Sequence, residues 1–531
     1  MSLSKVNATS VTRTKNRTPD SVVPSSGMCA VCLDGCPGLC EIGRSAFRGA
    51  EVIYPQPFGL MTSAAEKDYP VDFSHFNIMG TTVGAHGIKA DSDKAIFTNV
   101  NLETRLGRDK GIKLRLPIVI PGLGSTNVAK NHWDGLAVGS AITGTGLTIG
   151  ENVCGMDNDS KFSNGRVAHC PDLEYRVKTY KEWQRDGYGM IVLQANVEDG
   201  RLGVLEYGIE KLKVDAVELK WGQGAKDIGG EVKLNSLERA KLLKSRGYIV
   251  LPDPEDPTVQ DAYNRGAFKE FERHSRVGMV AEKIDAAIEE FTKAVEGLRK
   301  NGAKYVFLKT GAYRPADLAR AVRLCSEAKV DVLTVDGAGG GTGMSPWRMM
   351  NEWGIPTVYL SAMTYNYVDK LAKKGKHVPD IILAGGLSLE DHIFKAFALG
   401  APYVKAVGMA RAAVCAAMVG KTIGNLVNDN KIPKSLEEFG KTVDEVFILS
   451  TKAKREFGGN GRTLPSSGLG LYTFYQRLAQ GLRQMMAGER KFALEHITRD
   501  DIVTLTREAA EVTGITYVMD ADKELAEKIL G

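Results

Sequence analysis

Four cysteines fall within twelve residues near the start of the 531-residue chain: Cys29, Cys32, Cys36 and Cys40, in the string CAVCLDGCPGLC. The spacing is C-x2-C-x3-C-x3-C. Four thiolates this close together suit one small inorganic centre. The run fits a cubane [4Fe–4S] cluster, and Cys36 is followed by Pro37, as the last cysteine of a bacterial ferredoxin run is. Zinc is the rival, since four cysteines also make a common structural zinc site. Zinc ligands, however, usually come as two C-x2-C knuckles parted by a longer loop than this spacing holds. Either ion would order a segment that lacks an obvious core of its own. The other four of the eight cysteines, Cys154, Cys170, Cys325 and Cys415, are scattered.

Glycine supplies the second chemical signal. VDGAGGGTGMSP (335–346) sets Asp336 before Gly339, Gly340, Gly341, Thr342 and Gly343; AGGLS (384–388) offers Gly385 and Gly386; VGMAR (407–411) offers Gly408, Met409 and Ala410. Glycines let the backbone approach a ligand and aim its N–H groups at an anion. One such turn is read as merely tight. Three in succession point to a phosphate-bearing cofactor. VELKWGQGAKDIGGE (217–231) adds Lys220, with Gln223 and Lys226 as further donors. A lysine at a strand's end suits a flavin, whose reduced ring is negative; a cation about 4 Å away is favourable by roughly 4 kcal/mol at an effective dielectric near 20. The plain alternative is a solvated lysine. Lys309 reads the same way. Pro121, Gly122 and Gly124 of IPGLGSTN would let a flat ring lie over the backbone, with Thr148 and Gln194 on neighbouring strands as further cofactor contacts. IGENVCG (149–155) would bring Glu151 and Cys154 to that ring, although a free cysteine is more often a small buried hydrophobe.

These groups need a scaffold. Short β-branched runs recur at 116–120, 147–149, 190–195, 215–220, 304–310, 331–336, 380–385 and 403–407, with helical patterns between them, as at 318–328 and 389–400. Eight β-then-α units predict an α/β fold, a (β/α)8 TIM barrel, with a doubly wound sheet as the alternative. The expected layout is a flexible tail over 1–26, a cysteine-rich α+β segment over 27–114, the barrel over 115–411 and a helical extension over 412–531. An insertion at 221–303 would lie on the active-site face, because it follows a strand's C-terminal end.

A net charge of +5 gives no case for nucleic acid, and no apolar run is long enough to span a membrane. The first 20 residues have no apolar core of a secretory signal, so a cytoplasmic setting, with reduced thiols, is expected.

Three stretches then carry a resemblance: GGGTGMSP, KWGQGAK, and IPGLGS followed by GEN. They occur in the same order in the FMN-binding domain of the glutamate synthase family, which this chain resembles over about residues 110–420; DGRLGV (199–204) is similar to that family's SGRFGV. The resemblance implies an FMN barrel that reductively adds an amino group to 2-oxoglutarate or a related keto acid. It implies Lys220, Gln223 and Glu151 as catalytic groups and Arg201 and Lys226 as substrate contacts. Four departures qualify it. Met1 and Ser2 stand where that family's large subunit has a cysteine nucleophile, so ammonia is expected from solution or a partner subunit. The family's cysteines after strand eight are reduced to Cys415, and the N-terminal four are read as their replacement. KWGQGAKDIGGE lacks the family's proline and acid, and GENV replaces GEGG, which puts 2-oxoglutarate in question. No dinucleotide-binding domain is legible, so the electron donor is expected to be a ferredoxin or a reductase subunit, in an oligomeric assembly. A relative acting on another amino or keto acid, by N-alkyl glutamate synthesis or dehydrogenation, and a non-catalytic electron-transfer or scaffold subunit are the competing readings.

Overall fold

The computed structural model describes residues 24–25, 28–29, 35–36, 40–49, 69–123, 126–222, 231–338, 353–459 and 462–531. Eight parallel strands close into a barrel: Ile118–Ile120, Gly146–Ile149, Met190–Ala195, Ala216–Lys220, Val306–Thr310, Val332–Asp336, Asp380–Ala384 and Val404–Gly408. They follow chain order around the ring, and the eighth pairs with the first. The expected (β/α)8 architecture is the observed one. Helices cover the outside and side chains fill the inside, so these strands are apolar on both faces, as parallel strands are.

The period of two along each strand sorts the side chains. Ile191, Leu193, Val217, Val306, Leu308 and Leu333 pack outward under the helices. Val119, Val192, Ala216, Phe307, Val332, Ile382 and Ala406 form a separate apolar plug inside the barrel. Leu106 and Leu114, from the hairpin of Thr104–Leu106 and Ile112–Leu114, close that plug from below. Two residues further up the same inward rows the side chains turn polar, with Gln194, Glu218, Lys309 and Thr334. The C-terminal end of the barrel therefore carries the chemistry.

The segments before and after the barrel pack on each other. Strand Phe76–Ile78 pairs antiparallel with Ile502–Thr504. Helix Glu41–Arg48 packs against Arg411–Asn428 and Ser466–Gly488. The last two touch backbone to backbone: a Cβ on Gly420 would stand 2.5 Å from the Ser466 carbonyl oxygen and 3.0 Å from Gly470 Cα. Buried Arg477 donates to Glu390, tying the long C-terminal helix to the barrel helix Glu390–Gly400. Within the insertion, Glu231–Leu234, Phe271–His274 and Ile249–Leu251 form an antiparallel sheet with Phe271–His274 in the middle. A small core of Leu234, Leu243, Tyr248, Val250 and Phe271 supports it. Among the described residues no helix is long and apolar enough to cross a membrane.

Candidate functional site

The barrel's polar layer is built from groups on four consecutive strands, three to six, and one loop. Gln194 Nε2 donates to Glu218 Oε1 at 2.5 Å, and Thr334 Oγ1 donates to Glu218 Oε2 at 3.0 Å. Lys309, 2% exposed, pairs with Asp336 Oδ2 at 3.2 Å. Lys220, its register partner on the adjacent strand, donates to Glu151 Oε1 at 2.6 Å from the loop after strand two. Burial works against the Lys309 charge, but Asp336 and Glu218 outweigh it and hold the ammonium above its ordinary pKa. Burial pushes the Glu218 carboxyl up, with Lys309 opposing. Burial would do the same at Glu151, yet the charge and hydrogen bond of Lys220 hold that carboxyl below its usual range.

Among the described residues, two enclosed oxygens in this layer accept from no donor: Gln194 Oε1 and Glu151 Oε2. A buried acceptor without a partner costs free energy until a ligand donates to it. The turns around them have no room for side chains. A Cβ on Gly122 would lie 2.6 Å from Gln194 Oε1. Gly385 has φ +121°, and a Cβ there would lie 2.5 Å from Thr357 Oγ1 and 2.7 Å from the Gly337 carbonyl oxygen. The strand-seven turn thus stacks on the strand-six turn. Thr148, Pro121 and Met409 are buried beside the strand ends, and Gly408 sits against Ala384. Gly124, Gln223, Lys226, Gly339, Gly340, Gly341, Thr342 and Gly343 lie outside the described residues. A cavity of about 910 Å³ opens at the opposite end of the barrel, beside Arg105, Lys113, Asp215 and Tyr305, and holds none of these groups.

Arg201 is exposed in the last turn of helix Val197–Leu202. Its neighbour Asp199 turns inward and accepts from the Asn152 backbone N–H at 2.8 Å. Asn152 itself holds a left-handed φ of 73°. Burial, helped by the Glu151 charge, pushes the Asp199 carboxyl up to about 7. In the unfolded chain it titrates near 3.8, so between those values the native state keeps a proton that the unfolded state has lost. Its contribution to stability is complete below about pH 4 and is lost as pH rises through about 7. Asp199→Asn cannot ionise. Its stability relative to the wild type is therefore expected to improve from pH 5 to pH 8, by about 3 kcal/mol, read as a rise in relative melting temperature. An equal difference at both pH values would contradict the assignment.

Of the cysteine run, Cys36 is half-buried and Cys40 is buried as the N-cap of helix Glu41–Arg48, where Gly43 N–H donates to its sulfur at 3.3 Å. Cys32 and the Cys29 side chain lie outside the described residues. The fold brings Cys40 Sγ to 3.8 Å from Cys415 Sγ. Cys415 stands five residues beyond Ala410, about 7 Å along the helix that starts at the strand-eight turn. Cys154 is fully buried, and a hydrogen bond with Cys170, then burial, hold its thiol well above the ordinary range, so it is a neutral packing group. Sequence reading passed over Glu218, although an inward Lys220 implies it by alternation. Nothing local signals Asp199, Arg273 or Cys415, because their partners come from distant segments.

Residues 282–421 match the family model of the conserved region in glutamate synthase. The match runs from the insertion's last helix through strands five to eight to the helix bearing Cys415. A glutamate synthase large subunit-like protein of Rhizobium meliloti is 26% identical over 70% of this chain and 69% of its own length. An archaeal-type glutamate synthase [NADPH] of Thermotoga neapolitana is 24% identical, and the matched part spans 53% of that relative. A solved structure of (S)-mandelate dehydrogenase overlaps 81% of this chain and 88% of its own, at 14% identity and a TM-score of 0.41. The family match and the two relatives show the resemblance to the glutamate synthase family.

Proposed function

We propose that this glutamate synthase-like chain is an FMN-dependent oxidoreductase that aminates 2-oxoglutarate or a related keto acid, or acts on a related amino acid. The carrying observation is the buried Lys309 and the half-buried Lys220 beside Gln194 Oε1 and Glu151 Oε2, which are unmated among the described residues. These groups fit a flavin's ring: an acceptor for a ring N–H, cations for a developing negative charge, and glycine turns on strands six to eight for a phosphate. FMN, when bound, supplies hydride chemistry and joins one-electron supply to two-electron work. Lys220 and Lys309 stabilise negative charge, Gln194 orients the ring, and Glu151 stays ionised under Lys220. Asp199, titrating near neutrality, holds or releases a proton at its carboxyl. Arg201 and Lys226 are the substrate contacts implied by the family motifs, with Gln223 a further catalytic group.

Cys29, Cys32, Cys36 and Cys40 would hold a [4Fe–4S] cluster as an entry for single electrons from a ferredoxin or reductase partner. The N–H bond to Cys40 sulfur suits a thiolate ligand. Its place beside the helix that begins at the strand-eight turn supports a role near the flavin. One observation favours the zinc reading: 3.8 Å between Cys40 and Cys415 is the edge of a sulfur tetrahedron about 2.3 Å from a single metal ion. Iron, acid-labile sulfide and zinc analysis beside a flavin spectrum separates the two. Cys40→Ser is expected to lower the metal content at least several-fold while FMN absorbance stays. Unchanged metal would remove Cys40 from the site. Anaerobically reduced protein mixed with 2-oxoglutarate and ammonia should reoxidise its flavin; reoxidation by other acceptors alone would redirect the substrate, and none at all would overturn the enzymatic reading.

A further inference from the structure

The cavity at the N-terminal end of the barrel takes no part in the scheme above. Its volume of about 910 Å³ falls in the range of small-molecule pockets, about 300–1,000 Å³. Five cations from three separate segments line it. Arg105, Lys110 and Lys113 come from the hairpin below the barrel, Lys213 from the turn before strand four, and Lys304 from the residues before strand five. Among the described residues none of the five is paired with a carboxylate. Arg105 Nη1 donates to the Lys110 carbonyl at 2.9 Å, and the Lys113 ammonium lies over the Tyr188 ring at 5.8 Å.

The two carboxylates that line the cavity are already engaged. Asp186 pairs with Arg115. Asp215 accepts from the Ile191 N–H at 2.8 Å, and burial pushes its carboxyl up against the pull of Lys181 and Lys304. A concave surface lined by one sign of charge focuses the field and concentrates counter-ions. The walls are also held in place. Gly189 N–H donates to the Lys113 carbonyl at 2.8 Å, which docks the hairpin on the entry to strand three. Lys213 closes a π-helical turn, Gly208–Leu212, with a left-handed φ of 53°, and Lys181 donates to its carbonyl. Glycine or asparagine takes that conformation more cheaply, and single π-turns are frequent at functional sites. Beside the cations the cavity has an apolar wall of Ile112, Ile209, Val214 and Tyr305. The Tyr305 ring is backed by Gly107, where a Cβ would lie 2.8 Å from Tyr305 Cδ1.

We propose that this cavity binds an organic polyphosphate of the nucleoside triphosphate class, with its phosphates among the five cations and its organic part on the apolar wall. Several unpaired cations ask for several negative charges on one ligand, and the apolar wall asks for a ring beside them. The site lies at the end of the barrel away from Lys220 and Lys309, so its ligand is not the substrate of the chemistry proposed there, and it stands independently of that reading.

The test titrates ATP, tripolyphosphate and AMP, without divalent cations, into the full chain by calorimetry. Saturating FMN is present, so that no flavin phosphate site contributes. At about 0.1 M salt, where exposed charges still act over about 10 Å, ATP should bind about tenfold tighter than either of the others. Lys304→Glu should weaken ATP about tenfold, while Lys89→Glu, the same charge change at an exposed lysine outside the cavity, should leave it within about twofold. Should Lys304→Glu fail to fold, Lys213→Asn, which suits the left-handed turn, should weaken ATP about fivefold. Tripolyphosphate binding as tightly as ATP overturns the organic ligand, and AMP binding as tightly overturns the polyphosphate. Equal losses in Lys304→Glu and Lys89→Glu, or no binding of ATP at millimolar concentration, overturn the site.

Discussion

Lys220→Met is expected to leave the protein folded and FMN bound while slowing flavin reduction about 100-fold. Lys220 lies inward at the top of strand four and is one-tenth exposed, so its charge is only partly screened. A unit charge about 4 Å from the reduced ring contributes roughly 4 kcal/mol at an effective dielectric near 20. Glu151, at 2.6 Å, offsets part of that field. A net loss of about 2.7 kcal/mol corresponds to about 100-fold in rate. The same loss should move the two-electron flavin potential about 60 mV more negative. Stopped-flow reduction and a spectroelectrochemical titration read the two effects independently. Wild-type rates and potential in this variant would remove Lys220 from the scheme, and a lost flavin spectrum would give it a binding role instead.

Lys309→Met is expected to cost stability rather than rate alone. Lys309 is the cation that acts on both Asp336 and Glu218, and both carboxylates are largely enclosed. Removing one partner of a buried ion pair typically costs about 3–5 kcal/mol, because the remaining charge stays enclosed. Glu218 would then take up a proton more readily, since the Lys309 charge is what opposes its burial. Chemical denaturation at pH 8 should show a loss of that size, shrinking as pH falls and the carboxyls are neutralised. A loss below about 1 kcal/mol at pH 8 would mean that water or another group already compensates Asp336 and Glu218.

The barrel and its working end follow from the amino-acid pattern alone. Eight short apolar runs, mostly bounded by Gly, Pro, Asn or Asp and alternating with helical patterns, favour closure into a barrel, since parallel strands must be covered on both faces. All eight strands lie where that pattern placed them, and the C-terminal lysines and glycine turns follow from where each strand stops. Alternation alone also fixes which side chains enter the barrel, so Glu218 was legible in principle beside Lys220. Contacts between remote segments were decided by the tertiary structure. Asp199 is a neighbour of Glu151 only because helix Val197–Leu202 folds back over the strand-two loop. Arg273 reaches Asn152 across 121 residues, and Cys40 reaches Cys415 across 375. No local propensity encodes such pairs. They arise when apolar faces of distant segments, such as helix Glu41–Arg48 on Arg411–Asn428, leave water together and carry their polar residues with them.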